Sequence, residues 1–310
     1  YTVKETTPGS IAAGVGYSQL SGVNLSLQLS ENNFLGTGNR VSMSVTRSAY
    51  QKRYDFSFMN PYFTEEGLSL SYNLWWREFD YSSFNVASYS TNSGAAQVFL
   101  GLPLSESDSV SLMLGIDSNE ILAFPGSTPP PLVDYISAVG NQTFHSWRAQ
   151  LGWGRDTRNN YFTPVVGTTQ NLSAEIALPG STVEYYKISY DVAKYWPLNQ
   201  ALVLRTAVNL GYGDSYGNDS TRNLCFTAPT YTDTNNDGII DTVVPGPPPT
   251  DPCLPTSPDY DKTVTASGLP FFENFYAGGI SSSGKVRGFV DNTLGPVYIT
   301  PSGFRQPLGG

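Results

Sequence analysis

Apolar and polar side chains alternate one for one along most of the first two-thirds of this chain. Period-2 alternation suits a strand with one face in an apolar medium and one in a polar medium, and it is incompatible with an amphipathic helix. In VNLSLQLS (23–30), Val23, Leu25, Leu27 and Leu29 share one face, and Asn24, Ser26, Gln28 and Ser30 share the other. VSMSVT (41–46) and LSLSYNLW (68–75) repeat the pattern. SWRAQLGW (146–153) aligns Trp147, Ala149, Leu151 and Trp153, and YKISYDV (186–192) sets Tyr186, Ile188, Tyr190 and Val192 against Lys187, Ser189 and Asp191. The reading gives about eleven strands, near 9–18, 22–31, 38–48, 52–60, 67–79, 90–102, 108–122, 143–155, 168–179, 183–196 and 200–213.

Short connections (QLSG, ALPGST) contrast with long ones, 124–142 and everything from 214 to about 300. One set of short turns and one of long loops is the pattern of an up-and-down antiparallel β-barrel. Alternation alone does not say which face is inside. Strands of about ten residues match a tilted bilayer crossing. Aromatic residues gather near strand ends (Tyr62, Phe63, Trp75, Trp76, Tyr161, Phe162, Tyr195, Trp196), as in an interfacial girdle. These features favour a transmembrane barrel over a soluble sandwich, which stays open at this point. No apolar run is long enough for a membrane-spanning helix, which leaves strands as the means of crossing.

Net charge is −9, so nucleic acid is not an expected partner, because phosphate binding needs clustered Lys and Arg. His145 is the only histidine and supports neither a triad nor a zinc site. No paired-carboxylate, nucleophile-elbow or phosphate-loop motif appears, so the chain is not expected to be an enzyme. The two cysteines, Cys225 and Cys253, lie in one polar, proline-rich stretch. A disulfide there implies an oxidising compartment; two free thiols are the alternative. DTNNDGIID (233–241) offers Asp233, Asn235, Asp237 and Asp241 as calcium ligands, with Gly238 at the sharp turn. The twelfth position, where an EF-hand needs Glu, is Val244, so a shorter calcium loop or a plain Asx-rich turn are the two readings. No cofactor is expected to be required; calcium in the 233–241 loop, on the first of these readings, would be structural. PGPPPTDP (245–252) and GSTPPP (126–131) read as extended loop spacers.

Six phrases carry a resemblance: NNFLGTGNRV (32–41), NPYFTEEGLSL (60–70), RNNYFTPVVGT (158–168), IALPGSTVEYYK (176–187), PFFENFYAGG (270–279) and VRGFVDNTLGP (286–296). On these the chain resembles the BamA family, the core outer-membrane proteins of the bacterial barrel-assembly machinery. The resemblance implies an integral outer-membrane β-barrel of sixteen strands preceded by five periplasmic POTRA domains. About eleven strands would be present here and the C-terminal ones missing. Residues 1–8 would be the end of the last POTRA domain, and 9–310 the barrel with its extracellular loop six (about 214–310). The chain opens mid-phrase and reads as a mature or truncated piece.

The resemblance also implies that loop six folds into the lumen. Its motif is Val286, Arg287, Gly288 and Phe289, with Arg287 contacting carboxylates on strands this chain lacks. Strand 1, comprising Gly9, Ser10, Ile11, Ala12, Ala13, Gly14, Val15, Gly16, Tyr17 and Ser18, would be the lateral gate that pairs with incoming strands. Its glycines weaken the strand, or relieve crowding in the lumen. Implied partners are outer-membrane protein clients, accessory lipoproteins of the assembly complex and the lipid bilayer. A related translocator for two-partner secretion or autotransporter assembly, and a passive porin-like channel, are the alternatives.

Overall fold

The computed structural model describes residues 8–18, 22–80, 89–123, 128–199, 202–217, 219–225, 230–232, 242–244, 260–279, 286, 288–290, 292–299, 303 and 305–309. The described chain divides into two compact units. The larger comprises 1–129, 142–217 and 268–310; the smaller comprises 130–141 and 218–267.

The larger unit is one antiparallel sheet of eleven strands, each hydrogen-bonded to its neighbours in sequence. The strands are β1 Gly9–Ser18, β2 Gly22–Glu31, β3 Arg40–Arg47, β4 Gln51–Asn60, β5 Ser69–Asp80 and β6 Tyr89–Pro103, followed by β7 Asp108–Ala123, β8 Thr143–Asp156, β9 Gly167–Ala177, β10 Tyr185–Pro197 and β11 Val203–Ser215. This up-and-down order is the one expected. Among the described residues β1 and β11 are its two edges.

Register resolves the ambiguity of faces. Ile11 sits opposite Leu29, and Leu29 opposite Met43. Further round, Leu74 faces Ala96, Ala96 faces Ile116 and Ile116 faces Trp147. The apolar positions thus form continuous cross-strand rows, and Leu27, Met43, Leu74, Leu114, Trp147, Leu151 and Ile188 are all exposed. A soluble sandwich would bury such rows; an exposed apolar surface of this extent belongs against another apolar phase. The opposite face is polar and internally hydrogen-bonded. Ser42 bonds Ser57 at 2.8 Å, Ser173 bonds Ser189 at 2.6 Å, and the Ser44 hydroxyl donates to Asp55 at 3.1 Å. Among the described residues no helix is long and apolar enough to cross a membrane, which says nothing against crossing by strands.

In the smaller unit, helix α1 (Pro130–Val139) packs on a two-stranded sheet of β12 (Ser220–Cys225) and β15 (Tyr260–Ala266). Leu132, Tyr135, Ile136 and Ala138 of α1 are buried, as are Val264 and Ala266 of β15. This corrects the reading of 124–142 as a plain loop and of GSTPPP as an extended spacer: Pro130 and Pro131 begin the helix. The first-turn amides have no intrahelical partner to lose, and proline's fixed φ suits that position. Gly140 ends the helix at φ +74°, and its amide donates to the Ile136 carbonyl at 2.9 Å, a left-handed cap that favours glycine. Lys262 pairs with Asp134 at 2.7 Å.

The stretch after residue 214 is also less bare than expected. It holds the short pairs β13 (Thr230–Thr232) with β14 (Thr242–Val244), and, in the larger unit, β16 (Val297–Ile299) with β17 (Arg305–Pro307). Cys225 closes β12, but its side chain and Cys253 lie outside the described residues, and with them the disulfide reading. The calcium reading at Asp233, Asn235, Asp237 and Asp241 and the spacer 245–252 lie outside them too.

Candidate functional site

The segment Leu269–Tyr276 runs along the polar face of the sheet and is held there by charge and by aromatic packing. Its centre is a single 3-10 turn, Phe271–Glu273, entered from the extended Pro270. Phe271 packs edge-on against Tyr89 of β6 at 5.5 Å between ring centroids, and Phe272 packs on Phe144 of β8 at 5.0 Å. Phe271, Tyr89 and Phe144 are buried.

Glu273 enters a cluster contributed by four strands. Arg148 lies on β8, opposite Gly115 of β7 and Ala177 of β9. Its Nε donates to Asp117 of β7, and its Nη1 donates to Glu175 Oε1 of β9 at 3.0 Å and to Glu273 Oε1 at 3.2 Å. Lys187 of β10 donates to Glu273 Oε2 at 3.3 Å and to its backbone carbonyl at 2.8 Å. The hydroxyl of Tyr185, a fully buried residue, donates to Glu175 Oε1 at 3.1 Å. The side chains of Arg148 and Glu273 are only 15% and 19% exposed. Two cations therefore face three carboxylates in a largely dry setting. Such a cluster holds only while every member has a partner, because a lone buried charge is strongly destabilising. Burial pushes the Glu273 carboxyl above the usual carboxylate range, against the pull of Arg148 and Lys187.

Beyond Glu273 the chain stays tied down. The Lys187 ammonium sits 4.7 Å from the centroid of the Phe275 ring. Asn274 Nδ2 and the Tyr276 hydroxyl both donate to the Leu308 carbonyl, at 3.0 and 3.2 Å. Ala277 then bridges to Leu294, and Gly279 bridges to Val286, whose amide donates to the Gly279 carbonyl at 2.9 Å. The VRGF segment is thus fastened at its first residue to the docked limb. Gly288 has φ +90° and Phe289 is exposed; Arg287, its expected lumenal contact included, lies outside the described residues.

The strand-1 residues fall where expected, at the edge of the sheet, paired to β2 from Gly9–Glu31 to Ser18–Gly22. Ile11, Val15 and Tyr17 are 75%, 79% and 77% exposed on the apolar face, in line with Ala13. Ser10, Ala12, Gly14 and Gly16 take the polar face, where the Ser10 hydroxyl bonds that of Ser30 at 2.8 Å. The two glycines differ. A Cβ on Gly14 would come within 2.7 Å of Ser26 Oγ, whereas one on Gly16 would meet nothing within 4 Å. Crowding accounts for Gly14 and not for Gly16.

The family model for the Omp85 superfamily domain matches residues 33–310. The chain belongs to the Omp85 superfamily. As an Omp85 barrel it is an integral protein of the bacterial outer membrane. It is 26% identical to the outer membrane protein assembly factor BamA of Neisseria meningitidis serogroup B, over all of this chain and 34% of that protein. It is 31% identical over 121 residues to BamA of Buchnera aphidicola, which covers 39% of this chain and 20% of that one. Its fold is similar to the crystal structure of BamA from Haemophilus ducreyi lacking POTRA domains 1–3, with a TM-score of 0.72 and 25% identity over 99% of this chain and 52% of that chain. The chain spans about a third of the length of the curated meningococcal relative.

The alternation places Lys187, and Glu175 of NLSAEIAL (171–178), on the polar face, but it gives no role to Arg148, Asp117, Tyr185 or Glu273. Two signals were available. Arg148 is a cation in mid-strand between two residues of the apolar row, and Glu273 is the only charged residue in PFFENFYAGG.

Proposed function

We propose that this Omp85 barrel takes part in assembling and inserting other β-barrel proteins into the outer membrane, with β1 as the lateral seam. The observation that carries the reading is the β1 edge. It is a ten-residue strand with an apolar bilayer-facing row and glycine at two polar-face positions, one of which, Gly16, has open space around it. The names of its relatives, assembly factors of the outer membrane, support it.

An incoming strand in lipid has unsatisfied amides and carbonyls, each costing several kcal/mol. An edge that opens and presents its own backbone groups removes that cost by β-augmentation, with no nucleotide and no covalent step. Gly16, with no side chain and open space around it, lowers the strand's grip on a neighbour and so favours opening. The limb docked through Glu273 keeps loop six against the lumenal wall while the seam changes partners. The partners in this reading are unfolded outer-membrane proteins, accessory lipoproteins and the bilayer.

The test is depletion of the resident assembly factor in a Gram-negative host, complemented by the full-length gene. Restored porin levels support the reading. A barrel that folds in the membrane but neither restores porins nor shows any contact with nascent barrels overturns it.

A further inference from the structure

Two glycines on the polar face of β11 lie under the docked limb. Gly211 is opposite Ser189 and Gly213 opposite Lys187 of β10. A Cβ built on Gly211 would lie within 2.8 Å of three atoms of the Phe275 ring, and those are its three nearest neighbours. A Cβ on Gly213 would come 2.9 Å from the Tyr186 carbonyl and about as close to both methyls of Leu269, at 3.0 and 3.1 Å. Real Cβ atoms do not approach as closely as the one on Gly211 would, so a methyl group there must displace the Phe275 ring, whereas at Gly213 the limb's Leu269 would have to give only slightly.

We propose that Gly211 is a positioning residue: it forms a socket for the Phe275 ring that, with Lys187 above the ring, fixes the height of loop six and hence of its VRGF segment on the lumenal wall. The chain of contacts is continuous. Phe275 seats on Gly211 beneath the Lys187 ammonium. One residue back, Asn274 follows the Glu273 anchor; two to four residues on, Ala277 and Gly279 carry the bridges to Leu294 and Val286. A ring lifted off the wall by one methyl group moves the bridge that holds Val286. The charge cluster at Glu273 sets where the limb attaches, and the socket sets how closely it lies. This goes beyond the assembly reading and rests on it only for the consequence in function.

The experiment uses the full-length chain in outer membranes and compares Gly211→Ala, Phe275→Ala and the double variant, with Gly154→Ala as a control on the same face. A Cβ at Gly154 meets its nearest atoms, Ser109 Oγ and Asn171 Oδ1, at 3.3 and 3.4 Å, a far milder approach. The difference in gel migration between unheated and heated samples reports barrel folding. Trypsin cleavage after Lys285 or Arg287 reports the position of loop six, and porin levels report assembly. Gly211→Ala is expected to raise the cleavage rate several-fold in a folded barrel, with Gly154→Ala near wild type. In the Phe275→Ala background, Gly211→Ala should add no further increase, because there is no ring left to displace. Unchanged cleavage in Gly211→Ala, or effects that simply add in the double variant, would overturn the socket. Faster cleavage with normal porin levels would uphold the socket and count against loop six in the assembly reading.

Discussion

Arg148 Nη1 lies 3.2 Å from Glu273 Oε1, joining a strand of the wall to a loop 125 residues further along the chain. Both side chains are largely shielded from water, and each has other partners in the same cluster. Removing one member leaves the others charged and unsatisfied. Arg148→Ala is therefore expected to loosen the limb by about 3–5 kcal/mol, the range for breaking a buried pair. Exchange of the Phe272–Tyr276 amides in the folded barrel measures it. A paired Arg148→Met, Glu273→Gln variant should lose less than the two single effects combined.

The limb should also respond to pH. Burial holds the proton on Glu273 to higher pH than in an undocked loop, where the carboxyl titrates in its ordinary range. Between the ordinary and the raised pKa the docked form binds more protons than the free form. Docking is then strongest below the ordinary carboxylate pKa and weakens as pH rises through the raised one. Fluorine resonances from a fluorinated phenylalanine at position 275 would follow this, and Glu273→Gln should flatten the profile. A profile that strengthens with rising pH contradicts the assignment.

The two faces of the sheet predict opposite tolerance. Leu114→Arg places a cation in the lipid-facing row, where it is expected to cost about 2–4 kcal/mol near mid-membrane. Ser173→Lys, on the polar face, should cost much less. Unfolding in liposomes by denaturant distinguishes them.

In the smaller unit the core is short and specific. Ile136→Ala should destabilise α1 against its two strands by about 2–4 kcal/mol. Asp134→Ala should have little effect, because its pair with Lys262 is substantially exposed. Exchange protection of the 132–139 amides reports both.

How much of this was legible depended on the range of the interaction. Strands β1 and β2 fall at 9–18 and 22–31, as the alternation predicts, because period and turn residues are local signals. Helix α1 was hidden by its own first turn, since Pro130 and Pro131 suit both an extended spacer and a helix start. Which face lies inside was not local at all. It appears only when Leu29, Met43 and their neighbours are seen in one cross-strand row. The cluster at Glu273 was hidden for the same reason, because its members are brought together by strand register and a long loop. The socket at Gly211 needed the position of Phe275, which no spacing in the sequence specifies.

Cysteine crosslinking at β1 would show whether this strand pairs with incoming strands. Single cysteines at positions 9–18 of the full-length chain, with Cys225 and Cys253 replaced by serine, would be oxidised in the presence of a stalled client barrel carrying cysteines in a terminal strand. If β1 is the seam, crosslinks form along it in antiparallel or parallel register with one client strand, and none form from matched positions on β5, which is paired on both sides. Crosslinks from β5 as readily as from β1, or none from β1 while the same client is captured elsewhere on the barrel, would contradict it.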